Sequence, residues 1–260
     1  MPAYNAEKYI GEAIESILNQ TFKEFEFIII DDCSTDGTWG IIQKYAAKDP
    51  RIVPLQNEKN LSISPTRNKL IGLSKGKYVV WQDADDISIP YRLEHQYKYM
   101  EEHLEVGISA GYLHYFNENG MGNIRKYAPD DTTLRSKIFR YSPCAQPAAI
   151  IRRECFKKVG LFPMASPVAE DLAMSFQIGT QYKFGNIQEV LIKYRETDTG
   201  VTYTKLRIME LYTIFLRYRF AGNGYTMTLG DKVYTLVQYF SVFLIPPKLK
   251  IMLFNLIRNS

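Results

Sequence analysis

Asp83-Ala84-Asp85-Asp86 sets three carboxylates directly after the apolar, aromatic run Tyr78-Val79-Val80-Trp81-Gln82. Such a run reads as a buried strand. The acids therefore fall at or just beyond a strand's carboxyl end, where open α/β sheets bind ligands. Two like charges ~4 Å apart repel by roughly 4 kcal/mol at an effective dielectric near 20. A hard divalent cation that also holds substrate phosphates would relieve that repulsion. The plainer reading is a solvated acidic turn that caps the next helix, and for an isolated D-x-D it is the commoner one. Two more acid pairs stand at comparable places. Asp31-Asp32 closes the strand-like run Phe25-Glu26-Phe27-Ile28-Ile29-Ile30, where a cap on the following helix is the alternative use. Glu170-Asp171 precedes an apolar helical face with Leu172 and Phe176, a place where the helix dipole alone would favour acids.

The elements that must position these acids alternate along the first 105 residues. Ile10, Ala13, Ile14, Ile17 and Leu18 mark one face of a helix. The Phe25–Ile30 strand follows, then the polar turn Ser34-Thr35-Asp36-Gly37-Thr38 and a helix carrying Trp39, Ile42, Tyr45 and Ala46. Ile52-Val53-Pro54-Leu55 is a short strand whose proline suits an edge. Ser64-Pro65 reads as N-cap and first residue of the next helix, which Gly76 ends before the Tyr78 strand. This βαβα order predicts an α/β fold with a mostly parallel, doubly wound sheet. Between about 106 and 202 the pattern is mixed. Strands are expected at Gly107–Phe116, Ala148–Ile151 and Val190–Tyr194, and helices at Asp131–Arg140 and Glu170–Ile178. From about 203 to 260 the chain reads as a helical, apolar and aromatic tail.

A chain of 260 residues, 46% of them hydrophobic, can bury a large core. Its net charge of +4, with no dense basic block in the first 200 residues, does not suggest nucleic-acid binding. Cys33, Cys144 and Cys155 are scattered and form no C-x-x-C pair, so neither zinc nor a disulfide framework is implied and a reducing cytoplasm fits. The first residues show no signal-peptide pattern, and no apolar run reaches the ~18 residues of a spanning helix.

In order along the chain, Pro2-Ala3-Tyr4-Asn5, Asp31-Asp32-Cys33-Ser34-Thr35-Asp36-Gly37-Thr38, Asn60 with Arg67-Asn68, Asp83-Ala84-Asp85-Asp86, Arg152-Arg153 through Gly160-Leu161-Phe162, and Glu170-Asp171 resemble the motifs of the family 2 inverting nucleotide-sugar glycosyltransferases of the GT-A fold. The resemblance covers roughly residues 1 to 200. It implies a nucleotide-sugar-binding half over 1–105, an acceptor-binding and catalytic half over 106–202, and transfer of a sugar from a UDP-linked donor to a hydroxyl on a glycan or lipid-linked acceptor. Carried over residue by residue, it implies that Pro2 and Tyr4 line a uridine pocket and that Asp32 takes the imide N–H of the base. Arg67 would lie near the base or diphosphate, Asp83 at the ribose, and Asp85 on a Mn²⁺ or Mg²⁺ ion that steadies the leaving nucleotide. Asp171 would be the general base, and Asp86 a structural residue that caps toward Ser88.

Three places depart from the family pattern. Members carry an apolar strand before the segment matched by Pro2–Asn5, of which only Met1 is present. The glycine often found two residues after Asn60 is Ser62. Where many members have Tyr-Arg-x-His, this chain has Tyr194-Arg195-Glu196-Thr197, so no histidine ligand is expected there. His95, His103 and His114 read as surface or structural. In the tail, Val233–Ile245 is broken by Pro246-Pro247, and Lys248, Lys250 and Arg258 flank Ile251-Met252-Leu253-Phe254 and Leu256-Ile257. This suits either an interfacial helix at a membrane or packing on the domain or a second copy. Two other functional readings stand beside the transferase: a sugar-phosphate nucleotidyltransferase, whose Gly-rich N-terminal loop is missing here, and a non-catalytic nucleotide-sugar-binding relative. A dinucleotide dehydrogenase is disfavoured, because no G-x-G-x-x-G follows an early strand.

Overall fold

The structure, a computed structural model, describes residues 1–164, 168–197 and 205–247, with 249, 250 and 252. β1 (Pro2–Ala3) leads into α1 (Ile10–Leu18), whose Ile10, Ala13, Ile14 and Ile17 are buried as their spacing requires. β2 (Phe27–Asp31) is buried at every residue, so its sequence is a continuous apolar run instead of an alternating one. α2 (Thr38–Ala46) returns the chain to β3 (Ile52–Gln56), and β1, β2 and β3 pair in parallel in that order. Pro54 sits on the outer strand of this sheet, where a missing N–H is tolerated.

α3 runs from Ile63 to Leu73, starting two residues before the Pro65 that Ser64 as N-cap would allow and ending well short of Gly76. Ser62 takes the N-cap place, and no side chain caps the helix. The reason is tertiary: the Ser62 N–H is held by Asp32 Oδ2 at 2.9 Å, which starts the helix there. Pro65 falls in the first turn, and the Ser64 hydroxyl is buried without a partner.

β4 (Tyr78–Val80), β5 (Ile87–Ser88), α4 (Arg92–Glu102), β6 (Val106–Asn117), β7 (Gly120–Arg125) and α5 (Asp131–Ser136) follow. Then come β8 (Ile150–Arg152), α6 (Glu154–Val159), α7 (Glu170–Gly179) and β9 (Lys183–Arg195). The second sheet has the order β4-β8-β6-β9-β5, with β7 paired to β6. Here the parallel arrangement expected from the βαβα order holds only for β6 and β9; β4, β5, β7 and β8 all pair antiparallel. β4 takes its partner from 70 residues downstream, a choice that no pattern within the strand encodes.

The main core joins both sheets. Ile28 and Ile30 of β2 and Trp81 after β4 meet Met174 and Phe176 of α7, and Leu216 and Phe220 of α8 (Leu206–Phe220). The Phe176 and Phe220 rings stack with centroids 4.9 Å apart. α9 (Leu229–Leu244) packs back on α8 and starts with a capping box between Thr228 and Asp231. Among the described residues, no helix is long and apolar enough to cross a membrane. Lys248, Ile251, Arg258 and the other tail positions from 253 lie outside the described residues.

Candidate functional site

The Asp83–Asp86 loop joins β4 to β5 and is braced from below. Gln82 donates to the carbonyls of Asp83 (3.0 Å) and Asp86 (2.8 Å), and its Oε1 accepts from Ser88 Oγ and Arg92 Nη1. Arg92 is wholly buried and also donates to the carbonyls of Trp81 (2.7 Å) and Pro147 (3.1 Å). Burial pulls its pKa down to about 9, against the opposing charges of Asp86 and Asp83. From the far end of β9, Arg195 donates its N–H to Asp86 Oδ1 and its Nε to the Asp85 carbonyl, both at 2.9 Å, and pairs with Glu12 of α1 at 2.6 Å. Asp86 is therefore structural, as expected, but it is held by Arg195 and does not cap toward Ser88. Its second oxygen is buried without a partner.

Asp85 is held in surroundings that disfavour its charge. Burial, and then the charge of Asp83, push its pKa up to about 6, with Arg195 opposing. The same two causes, with Asp85 added, raise Asp86. Among the described residues, no three His, Cys, Asp or Glu side chains converge as a ready-made metal cage. One or two carboxylates with the remaining positions open to phosphate oxygens is the way Mg²⁺ is commonly held, and Asp85 beside Asp83 fits that pattern.

Arg67 draws the distant acids together. Its guanidinium lies 2.6 Å from Glu170 Oε1 and 3.5 Å from Asp83 Oδ1. It lies against the contacting rings of Trp81 and Phe162, 5.4 and 5.6 Å from their centroids, and at 5% exposure it is no solvated helix charge. The strand-end acids and the first turn of α7 thus share one cation. Burial raises the Glu170 carboxyl, Arg67 opposes, and the neighbouring Asp171 adds to the rise.

The residues expected to meet the nucleotide stand on interlaced loops. Asp32 N–H donates to the Ala3 carbonyl (2.7 Å), which sets β1 beside the end of β2. Asn5 Oδ1 accepts from Thr35 N–H, the Glu7 carboxylate accepts from Gly37 N–H, and Asp31 accepts from Ser34 and Gln56. This positions Pro2 half-buried and Tyr4 exposed next to the Asp31–Thr38 loop. Asp32 is buried, and its carboxylate already accepts from Asn57 Nδ2, Leu61 N–H and Ser62 N–H at 2.7–2.9 Å. Its first duty is to hold the 57–62 loop at the head of α3; any base contact falls to the remaining lone pair of Oδ2.

Asp171 is the second residue of α7, half-buried, with Oδ1 accepting from Leu172 N–H at 2.8 Å. Its charge acts on Arg125 and Tyr127, whose guanidinium and ring lie 5.2 Å apart. His95, His103 and His114 hydrogen-bond with Glu189, the Tyr99 carbonyl and the Gly122 carbonyl, structural contacts as expected. Sequence reading missed Glu170 as Arg67's partner, Arg92 and Arg195. Tyr194-Arg195 lies within the Tyr-Arg-x-His match, which by itself gives no sign that Arg195 holds the acid loop.

Three comparisons bear on this geometry. The description of Glycosyl transferase family 2 matches residues 1–160. An uncharacterized glycosyltransferase of Methanocaldococcus jannaschii is 32% identical over 259 residues, covering 95% of this chain and 88% of its own. The Escherichia coli UDP-Glc:alpha-D-GlcNAc-diphosphoundecaprenol beta-1,3-glucosyltransferase WfaP is 29% identical over 78% of this chain and 74% of its own. Among solved structures, S. aureus TarS 1-349 in complex with UDP-GlcNAc superposes with a TM-score of 0.71 at 22% identity, over 92% of this chain and 71% of that one. The architecture is the GT-A type.

Proposed function

Because the chain belongs to glycosyl transferase family 2, we propose that it moves a sugar from a UDP-linked donor to a hydroxyl acceptor with inversion, in cell-surface polysaccharide or lipopolysaccharide synthesis. The observation that carries this reading is Arg67, whose pairs with Asp83 and Glu170 put the strand-end acids and the α7 acids on one site. The UDP-sugars named with WfaP and TarS favour UDP as the donor nucleotide, and WfaP's diphosphoundecaprenol acceptor favours a lipid-linked acceptor.

In this reading Pro2 and Tyr4 flank the uracil, Asp32 takes its imide N–H, and Asp83 reaches the ribose. Arg67 holds Asp83 in place and adds positive charge beside the diphosphate. Asp85 is the residue that would hold Mn²⁺ or Mg²⁺, whose chemistry is to neutralise the negative charge that grows on the leaving diphosphate. Asp171 accepts the acceptor hydroxyl's proton while that oxygen bonds to the anomeric carbon and the bond to the diphosphate breaks on the opposite face. UDP leaves with the bonding electrons, and the proton stays on Asp171. Holding acceptor and donor in line removes much of the entropic barrier.

The test is UDP release from a panel of UDP- and GDP-sugars with a diphospholipid-linked GlcNAc acceptor, in Mn²⁺ and in chelator. Acceptor-dependent release from a UDP-sugar, lost in chelator, is expected. Tight UDP binding without release for any acceptor would leave a non-catalytic binding protein.

A further inference from the structure

α9 is built inside out. The residues that it turns toward the protein, Asp231, Thr235, Gln238 and Val242, are mostly polar. They meet polar partners: Arg140 pairs with Asp231 at 2.9 Å, and buried Arg217 of α8 donates to Gln238 at 2.7 Å. The opposite stripe, Leu229, Val233, Leu236, Phe240, Phe243 and Leu244, is apolar and faces outward, from 52% exposed at Val233 to 79% at Leu229. Spacings of four, three, four, three and one keep these side chains within one narrow face of the helix. α8 adds Ile208, Leu211 and Phe215 at helical spacing, also exposed. An ordinary surface helix buries such a stripe and exposes the polar one.

Charge tells what covers it. From Lys205 onward the sequence has only two acids, Glu210 and Asp231. Both are turned in and paired, Glu210 with Lys250 at 2.7 Å and Asp231 with Arg140. The exposed charges of the hairpin are Lys205, Arg207, Arg219 and Lys232, all cationic. A second copy docked on this face would bring the same cations together with no exposed acid from the hairpin to pair them. A layer of apolar chains under an anionic surface matches both halves of the pattern.

We propose that the α8–α9 hairpin is a membrane-docking surface, which lies in the interface of an anionic lipid bilayer with the outward stripe of α9 immersed and the exposed cations at the headgroups. The lock between the polar faces of the two helices keeps this surface formed before lipid arrives. This inference does not depend on which sugar or acceptor the site takes.

Flotation of the full chain with vesicles of phosphatidylcholine containing 30% phosphatidylglycerol tests it, beside vesicles of phosphatidylcholine alone. Strong flotation with the anionic vesicles is expected, reduced severalfold but not abolished by 0.5 M salt. The double substitution Leu236→Asp with Phe240→Asp should lower flotation at least tenfold at unchanged melting temperature, since both side chains are exposed. Phe240→Trp gives a second readout: its emission should shift to the blue when anionic vesicles are added. If the wild-type chain stays with the soluble fraction, or if the double variant only converts a dimer to a monomer, the proposal is overturned.

Discussion

Asp85→Asn should make the protein without metal more stable at neutral pH. Burial and the charge of Asp83 raise the Asp85 carboxyl from 3.8 to about 6. The folded chain therefore binds this proton more tightly than the unfolded chain does. The favourable contribution is complete below about pH 4 and is lost as pH rises through about 6. Two pH units at 1.36 kcal/mol each put the loss on the order of 3 kcal/mol above pH 7. Asparagine fills nearly the same space and never ionises, and the Asp85 carbonyl that Arg195 holds is unchanged by the swap. At about 2–4 °C per kcal/mol for a chain of this size, the variant should melt roughly 6–12 °C higher at pH 7.5 and only about 2–4 °C higher at pH 4.5, where roughly 1 kcal/mol of the contribution has been lost. Scanning calorimetry across that range reads the difference directly. Adding Mn²⁺ and UDP at a hundred times their dissociation constant should restore about 2.7 kcal/mol to the wild type and little to the variant. A gap that fails to widen from pH 4.5 to 7.5, or a variant that gains as much from Mn²⁺ and UDP as wild type, would refute the assignment of Asp85 as the cation's carboxylate.

Asp171→Asn should keep UDP affinity, measured by calorimetry, while transfer falls by about two to four orders of magnitude; transfer within threefold of wild type would reduce Asp171 to a helix-terminal acid. Arg67→Met should cost about 3–5 kcal/mol in urea unfolding at pH 8, because it leaves Glu170 and Asp83 without their shared cation. The loss should shrink as pH falls, because burial and Asp171 raise the Glu170 carboxyl and let it take a proton before an ordinary glutamate does; a pH-independent loss would point to packing alone. Ser62 holds φ 70°, ψ 176°, a region that glycine enters without strain. Ser62→Gly should therefore raise the unfolding free energy measured in urea by roughly 0.5–1 kcal/mol after glycine's greater freedom in the unfolded chain is counted, and a lower value would show that the loop gains from the serine.

What the sequence made legible was local. α1, β2 and β4 stand where apolar spacing put them, because each is decided by residues within one element. The acids at the ends of β2 and β4 and at the start of α7 were found for the same reason. Where a partner comes from far away, the pattern fell short. β7 is an exposed hairpin strand, Gly-Met-Gly-Asn-Ile-Arg, with no buried face to impose alternation. α3 begins at Ile63 because Asp32, from another element, holds the Ser62 N–H, so the Ser64-Pro65 signal was overruled. The burial of Arg67 depends on Trp81, Phe162 and Glu170, none of them its neighbours in sequence, and a lone arginine in a helix gives no sign of that.

Arg195 lies 110 residues beyond Asp85 and 183 beyond Glu12, yet it ties both at the rim of the site. During synthesis the first 105 residues would therefore form β1–β3 and present the Asp83–Asp86 loop without the guanidinium that closes it. Glu170, which fixes Arg67, is also made late. The acids of that loop would have only Arg67 and Arg92 to set against their mutual repulsion until β9 slides in beside β6, a parallel pairing that must wait for a long loop to close. Cutting or stalling the chain before residue 195 should leave a fragment with most of its first sheet and little hold on a nucleotide, so that binding competence arrives in a single late step.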